Sequence, residues 1–246
     1  MNIEGRNAVA EAVKSGTEIE KIFVSVQEGS IKQIIGMAKE RGIIIMDVHR
    51  AKLDEMSETG AHQGIIAVAS AHEYASVDEI LQRAYDKGEK PFIVILDEIT
   101  DPHNLGAILR TANAAGVHGI IIPKRNSVGL TSTVAKVSSG AIEYTPVAKV
   151  ANLPQLVDRL KNEGIWFYGS HQDAKESYKK PDYSGGVGLI IGSEGKGISR
   201  LLLEKCDFLV SIPMLGEITS LNASVAAGIL MYEIAQSRAQ SAECIL

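Results

Sequence analysis

The sequence predicts an α/β protein in two parts, a small N-terminal α/β unit and a larger C-terminal unit built on an open parallel sheet with helices on both faces. Three observations carry this. From Pro91 onward the pattern strand, turn, helix repeats in order. The run Phe92-Ile93-Val94-Ile95-Leu96 is apolar throughout, as a central parallel strand covered on both faces should be. Between the parts, 71–90 turns polar, carries one amphipathic helix and ends in Gly-Glu-Lys-Pro, the composition of a domain connection. The boundaries read as 1–72, 73–90 and 91–246.

In the first part, Arg6 to Lys14 places Ala8, Val9, Ala12 and Val13 on one helical face before Gly16. A short strand follows at Lys21–Val24, a helix at Ser30–Arg41, a strand at Ile43–Met46 and another at Gly64–Ala69. The connection carries Val77, Ile80, Leu81 and Ala84 on a helix that either spans the gap or packs on the second part. After the strand at Phe92–Leu96, Asp97 to Leu105 reads as a turn. Leu105, Ile108, Leu109, Ala112 and Ala115 then form a helical stripe that Gly116 stops. Next come the strand Gly119–Ile122, a helix around Thr131–Ser138, a strand near Thr145–Ala148, a helix over Leu153–Glu163 and the strand Ile165–Tyr168. Asp173–Gly186, lysine-bearing and broken by Pro181, reads as a surface loop, and the strand Val187–Ile191 closes the sheet. Small residues after Asn222 lead into a long final helix.

Composition narrows the function classes. At 246 residues, 45% hydrophobic and 22% charged, the chain has the makeup of a globular protein. No apolar run approaches the roughly 20 residues that span a bilayer, and the N-terminus lacks an apolar signal core, so a cytoplasmic protein with no membrane partner is expected. Cys206 and Cys244 are too few for a disulfide framework and have no histidines at metal-ligand spacing; they read as buried or idle thiols, and no metal is expected. The net charge of −5 gives no general affinity for phosphates, yet 101–200 holds twelve Lys and Arg against eight Asp and Glu. A solvated charged face and an RNA-binding surface both account for that local excess.

Three stretches carry candidate chemistry. The first is Asp101-Pro102-His103-Asn104-Leu105-Gly106-Ala107-Ile108-Leu109-Arg110, with Asn104 at a helix entrance and Arg110 about two turns inside. A capping asparagine and a snorkelling arginine would be the bland account. Their place at the carboxyl end of a strand, where open α/β sheets bind ligands, favours a guanidinium that holds a phosphate or ribose. The second stretch is Gly192-Ser193-Glu194-Gly195-Lys196-Gly197. A phosphate-binding P-loop fails here, because Ile190 stands where its first glycine belongs and Gly197 follows the lysine; the dinucleotide fingerprint fails at Ile191. A plain turn needs no carboxylate, so Glu194 points to a cationic ligand group or an arginine rather than a phosphate. The third stretch runs Ile212-Pro213-Met214-Leu215-Gly216 to Thr219-Ser220-Leu221-Asn222-Ala223-Ser224. Capping explains one of Ser220 and Asn222, and Leu215-Gly216 leaves backbone room for a planar ligand.

In this order the three stretches closely resemble the signature motifs of the SpoU (TrmH) branch of the SPOUT methyltransferases, over about residues 92–240. The resemblance implies methyl transfer from S-adenosyl-L-methionine to a ribose 2'-hydroxyl of RNA, a deep trefoil knot, and a homodimer. It also implies cofactor contacts at Gly192, Ile212 and Leu221, largely through backbone, with Ser193, Met214 and Ser220 nearby. Asn104, Arg110, Glu194, Ser220 and Asn222 match the family's polar active-site positions. Ala223 stands where valine is common, which alters volume behind the site and none of these residues. Gly5-Arg6-Asn7-Ala8-Val9 and His62-Gln63-Gly64 resemble the small substrate-binding domain of bacterial enzymes that methylate a guanosine of 23S rRNA. A tRNA ribose is the alternative substrate. A non-catalytic RNA-binding protein on the same scaffold would have damaged motifs, and none is damaged. On these residues the expected mechanism has Arg110 orient the ribose and its neighbouring phosphate, with the phosphate as the proton relay, while Asn104 and Glu194 hold Arg110 and Asn222 and Ser220 shape the cofactor side.

Overall fold

The computed structural model describes residues 2–243. The chain divides into two compact units, one running to Glu73 and taking in Gly129–Ser132, the other made of Tyr74–Val128 and the chain from Thr133 onward.

The first unit is built from β1 (Asn2–Glu4), α1 (Arg6–Lys14), β2 (Ile19–Val24), α2 (Ser30–Glu40), β3 (Ile44–Asp47), α3 (Arg50–Met56) and β4 (Ile65–Ala69). Its sheet has the order β1-β4-β2-β3, with β4 antiparallel to both neighbours and β3 parallel to β2. The apolar stripes of α1 and α2 close on it: Val9, Val13, Ile31, Ile34 and Ala38 share one core with Ile22, Val24, Ile65 and Ala67. The sequence pattern misses two elements here. β1 is too short to show a period, and α3 buries only Leu53, so it has no stripe to read.

The second unit begins with α4 (Val77–Asp86), opened by a capping box in which Ser76 and Glu79 satisfy each other's backbone N–H. Val77, Ile80 and Leu81 join the core of this unit, so the helix in the 73–90 stretch packs on the second part. Next in the chain are β5 (Phe92–Leu96), α5 (Pro102–Ala114), β6 (Gly119–Pro123), α6 (Ser132–Val137) and β7 (Val147–Val150). α7 (Leu153–Lys161), β8 (Ile165–Ser170), β9 (Glu176–Ser177), β10 (Gly186–Ile191), α8 (Arg200–Leu203), β11 (Phe208–Ser211) and α9 (Ala223–Glu243) complete it. All seven strands run parallel in the order β7-β6-β5-β10-β8-β11-β9.

Alternate residues of the central strands serve opposite faces. Ile93, Ile95, Ile121, Phe167 and Ile190 meet α4, α7 and α8 in one cluster. On the other face α9 packs on α5 and β10, and its Arg238 lies over the Phe92 ring, 5.6 Å from the centroid. Phe92 is anchored at its backbone too: its N–H donates to His118 Nδ1 at 3.0 Å, and His118 Nε2 meets Glu89 Oε2 at 2.9 Å. The imidazole is therefore neutral, with its proton on Nε2, and burial holds its pKa below the ordinary value although Glu89 pulls the other way.

The structure corrects several local expectations. The turn after β5 ends sooner than expected, because Pro102 already occupies the first helical turn of α5. The strand expected near Thr145–Ala148 lies at Val147–Val150. Asp173–Gly186 is more than a surface loop: β9 pairs with β11, and Tyr183 is fully buried against Tyr168, with its hydroxyl donating to the Tyr178 carbonyl at 2.6 Å. α8 and β11 were not expected; each has four residues, too few for a periodic pattern to stand out. Cys206 is partly buried, and desolvation pushes its thiol up to about 12, in keeping with an idle thiol. Cys244 lies outside the described residues. Among those residues no helix is long and apolar enough to cross a membrane.

Candidate active site

β5 and β10 are neighbours in register, Ile191 opposite Leu96. From β5 the chain passes through α5 to β6 on one side, and from β10 through α8 to β11 on the other. This is a topological switch point, where diverging connections leave a crevice at the carboxyl ends of the strands. The three motif stretches lie at this edge. α5 starts after β5, the glycine turn follows β10, and the segment Ile212–Asn222 joins β11 to α9, which packs on both α5 and β10.

The glycine turn is tied across its base. Ser193 N–H donates to the Gly197 carbonyl at 3.1 Å and Gly197 N–H to the Ser193 carbonyl at 2.9 Å. Gly195 and Gly197 take left-handed φ of 82° and 68°. Gly192 is required for a different reason: a Cβ there would lie 2.0 Å from the Gly197 carbonyl carbon. Only bare backbone can pass.

The tied turn presents Glu194 to the other two stretches. Asn104 Nδ2 donates to Glu194 Oε1 at 3.0 Å, Asn222 Nδ2 donates to the same oxygen, and Ala223 N–H reaches it at 3.3 Å. Asn222 Nδ2 also donates to Asn104 Oδ1 at 2.9 Å. One carboxylate thus gathers a side chain from each of the other motifs, as charge-assisted bonds favour. Asn104, buried, does not cap α5; Asp101 does, accepting the His103 N–H at 2.9 Å. Of the two candidate caps for α9, Asn222 is the cap, its Oδ1 accepting the N–H groups of Ser224 at 2.9 Å and Val225 at 3.3 Å. Ser220 is exposed and makes no hydrogen bond among the described residues.

Arg110 stands apart. It is exposed on α5 and has no hydrogen bond or ion pair among the described residues. The expectation that Asn104 and Glu194 hold it is not met, because those two groups satisfy each other and Asn222 instead. The guanidinium is left free for a ligand.

Ile212–Leu221 differs from the glycine turn. Its backbone N–H and carbonyl groups make no hydrogen bond among the described residues. Apolar side chains are displayed beside them: Leu215 is 99% and Ile218 71% exposed, and Met214 is partly so. Open backbone groups next to apolar surface fit a planar heteroaromatic ring edged with donors and acceptors. Gly192, Ser193, Ile212, Met214 and Leu221 fall on the turn and this segment, where such a ring would be held largely by backbone.

One supporting residue escaped the sequence reading. Asp97, buried at the end of β5, accepts the Ser199 N–H at 2.7 Å and donates its own N–H to the Ile191 carbonyl at 2.8 Å, bracing both ends of the glycine turn. The available signal was a carboxylate directly after an unbroken apolar strand.

Comparison with known proteins agrees with this geometry. Residues 91–232 match the model of the SpoU rRNA Methylase family, and residues 2–75 match that of the RNA 2'-O ribose methyltransferase substrate binding family. The chain is 52% identical over 236 residues to YacO of Bacillus subtilis, which is named for the TrmH family of tRNA/rRNA methyltransferases, covering 95% of this chain and 94% of YacO. The SpoU methyltransferase AviRb of Streptomyces viridochromogenes, crystallised with AdoMet, has the same fold at a TM-score of 0.63 and 22% identity, over 98% of this chain and 91% of AviRb. The TrmH/SpoU tRNA modifying enzyme of A. aeolicus is 28% identical at a TM-score of 0.57, over 67% of this chain and 81% of that enzyme. The chain belongs to the SpoU (TrmH) family of S-adenosylmethionine-dependent RNA 2'-O-methyltransferases.

Proposed function

We propose that this protein methylates the ribose 2'-hydroxyl of a guanosine in 23S rRNA, working in the cytoplasm as a homodimer whose methyltransferase unit is knotted as a deep trefoil. Residues 1–72 hold the RNA, 91–246 carry the chemistry, and 73–90 join them. The observation that carries the reading is the meeting of Asn104, Glu194 and Asn222, one from each motif, at a single carboxylate, while Arg110 on the same helix as Asn104 has an exposed side chain with no partner among the described residues. The choice of rRNA is supported by the pairing of a SpoU rRNA Methylase match with an N-terminal substrate-binding match. A tRNA ribose is the second reading, favoured by the A. aeolicus enzyme's tRNA designation.

The cofactor supplies an electrophilic methyl group on a sulfonium. Gly192, Ile212 and Leu221 would hold it through backbone, with Ser193, Met214 and Ser220 alongside. Arg110 would orient the acceptor ribose through its adjacent phosphate, which positions the 2'-hydroxyl for methyl transfer. The phosphate held by Arg110 would take the 2'-hydroxyl proton, because a guanidinium stays protonated in a protein and is a poor base. Asn104, Glu194 and Asn222 act as one strut that fixes α5 and α9 relative to the glycine turn and so keeps Arg110 and the cofactor segment in register.

Two measurements test this. Mapping 2'-O-methyl groups in rRNA and tRNA of a deletion strain should show the loss of one 23S guanosine signal; loss of a tRNA signal would replace the substrate. Arg110→Ala should bind S-adenosylmethionine normally and fold normally while transferring methyl roughly 100-fold more slowly on saturating RNA. Near-wild-type turnover would remove Arg110 from the mechanism.

A further inference from the structure

One end of the four-stranded sheet of the first unit opens into a cleft of about 770 Å3. β1 and β2 finish there and β4 begins, with Glu4 opposite Ile66 and Val24 opposite Ile65. Arg6, the first residue of α1, and Arg50, the first of α3, both line the cleft, together with Val26, Glu28, Gln63 and Gly64.

The cleft is held in shape by its own lining. Arg6 N–H donates to Gln63 Oε1 at 3.0 Å and Arg6 Nε to the Gln63 carbonyl at 3.2 Å. Gln63 takes a left-handed φ of 53°, a conformation a side-chain-bearing residue keeps only where its surroundings impose it. Gly64 then brings the chain against Val26, so that a Cβ at Gly64 would lie 3.1 Å from Val26 Cγ2. What remains unspent is informative. The Nη groups of Arg6 and the side chains of Arg50 and Glu28 have no hydrogen bond or ion pair among the described residues.

Two free guanidiniums suit the oxygens of a phosphate. A phosphate alone gives Glu28 no role and is repelled by it. A nucleotide resolves the conflict, because a carboxylate accepts from a base edge with two adjacent donors, as guanine offers in its N1–H and 2-amino group. Val26, 43% exposed, supplies apolar surface for the face of that base. RNA is read mainly where bases are unpaired and their edges free. We propose that this cleft binds one unpaired nucleotide of the RNA substrate, its phosphate on Arg6 and Arg50 and a guanine edge on Glu28. The proposal rests on the RNA-methyltransferase reading above and assigns residues of the first unit that select the substrate.

The test uses the full chain, with in vitro transcribed 23S rRNA and with oligouridine carrying one central guanosine or one central inosine, which lacks the 2-amino group. Arg50→Ala removes an unpartnered exposed side chain, so the fold should be unchanged. It should weaken binding to the transcript about tenfold and flatten the salt slope by about one. Its S-adenosylmethionine affinity and its turnover at saturating RNA should match wild type. Glu28→Gln should erase the wild-type preference for guanosine over inosine. Wild-type binding with an unchanged salt slope in Arg50→Ala overturns the proposal, as does an intact guanosine preference in Glu28→Gln. If the wild-type protein transfers no methyl group while Arg50→Ala still loses RNA affinity, the cleft stands and the catalytic reading falls.

Discussion

The glycine turn after β10 and the segment between β11 and α9 sit at the same edge of the sheet and are built in opposite ways. The turn spends its polar groups internally: Ser193 and Gly197 exchange backbone hydrogen bonds, and Asp97 braces its flanks at Ile191 and Ser199. Ile212–Leu221 spends none of its backbone groups among the described residues, and Leu215 and Ile218 stand in solvent. A group fixed before the ligand arrives gives geometry; a group left unsatisfied gives affinity. Glu194 links the two by carrying the rigidity of the turn to Asn222, where the open segment ends.

Breaking that link should have the largest effect. Glu194→Ala deprives Asn104, Asn222 and the Ala223 N–H of their shared acceptor. Methyl transfer should fall about 100-fold or more, while the thermal melt shifts by no more than about 1–3 kcal/mol in stability. An assay with saturating RNA and cofactor, run beside a calorimetric scan, separates the two.

Gly192→Ala strikes the turn itself. With 2.0 Å between the added Cβ and the Gly197 carbonyl carbon, the backbone must move. Stability should drop by roughly 1–3 kcal/mol, and cofactor binding measured by isothermal titration should weaken with it. A variant that melts and binds like wild type would show that the turn is pliant.

Acid should loosen the strands beneath the turn before it affects the open segment. β10 pairs along β5, whose first residue is anchored when neutral His118 accepts the Phe92 N–H. The folded pKa of His118 lies below the unfolded one, so its contribution is present above about 6.5 and is lost as pH falls through the folded value. The melting temperature should decline over that range in wild type and less steeply in His118→Gln.

The smallest effect on folding belongs to the open segment. Leu215→Ser, at a side chain 99% exposed, should change stability by less than about 0.5 kcal/mol, yet weaken cofactor binding measurably. Unchanged binding would remove Leu215 from the cofactor's apolar surroundings.

Much of this was legible in the residues. β5 announced itself as five buried apolar residues in a row, and the stripe of α5 by its spacing up to Gly116. The three motif stretches could be singled out, and Glu194 was conspicuous because a turn has no need of a carboxylate. β11 was not legible, since Phe208-Leu209-Val210-Ser211 is short and mostly half-exposed. Nor was the burial of Tyr183 inside a polar, proline-broken stretch, which depends on Tyr168 from a different strand.

By itself the sequence determined the local matters: which of the longer segments extend or coil, that a cap stands at Ser220 or Asn222, and that Gly192–Gly197 turns. Those follow from periods and backbone preferences acting over a few residues. Only the tertiary structure decided the partners. Asn104 and Glu194 lie 90 residues apart in sequence, and Asn104 and Asn222 lie 118 apart. Sheet order and the packing of α9 on α5 bring these groups together, and in doing so leave Arg110 free. The expected pairing of Arg110 with Glu194 is not the one formed, because a carboxylate takes whichever donors the fold places within reach.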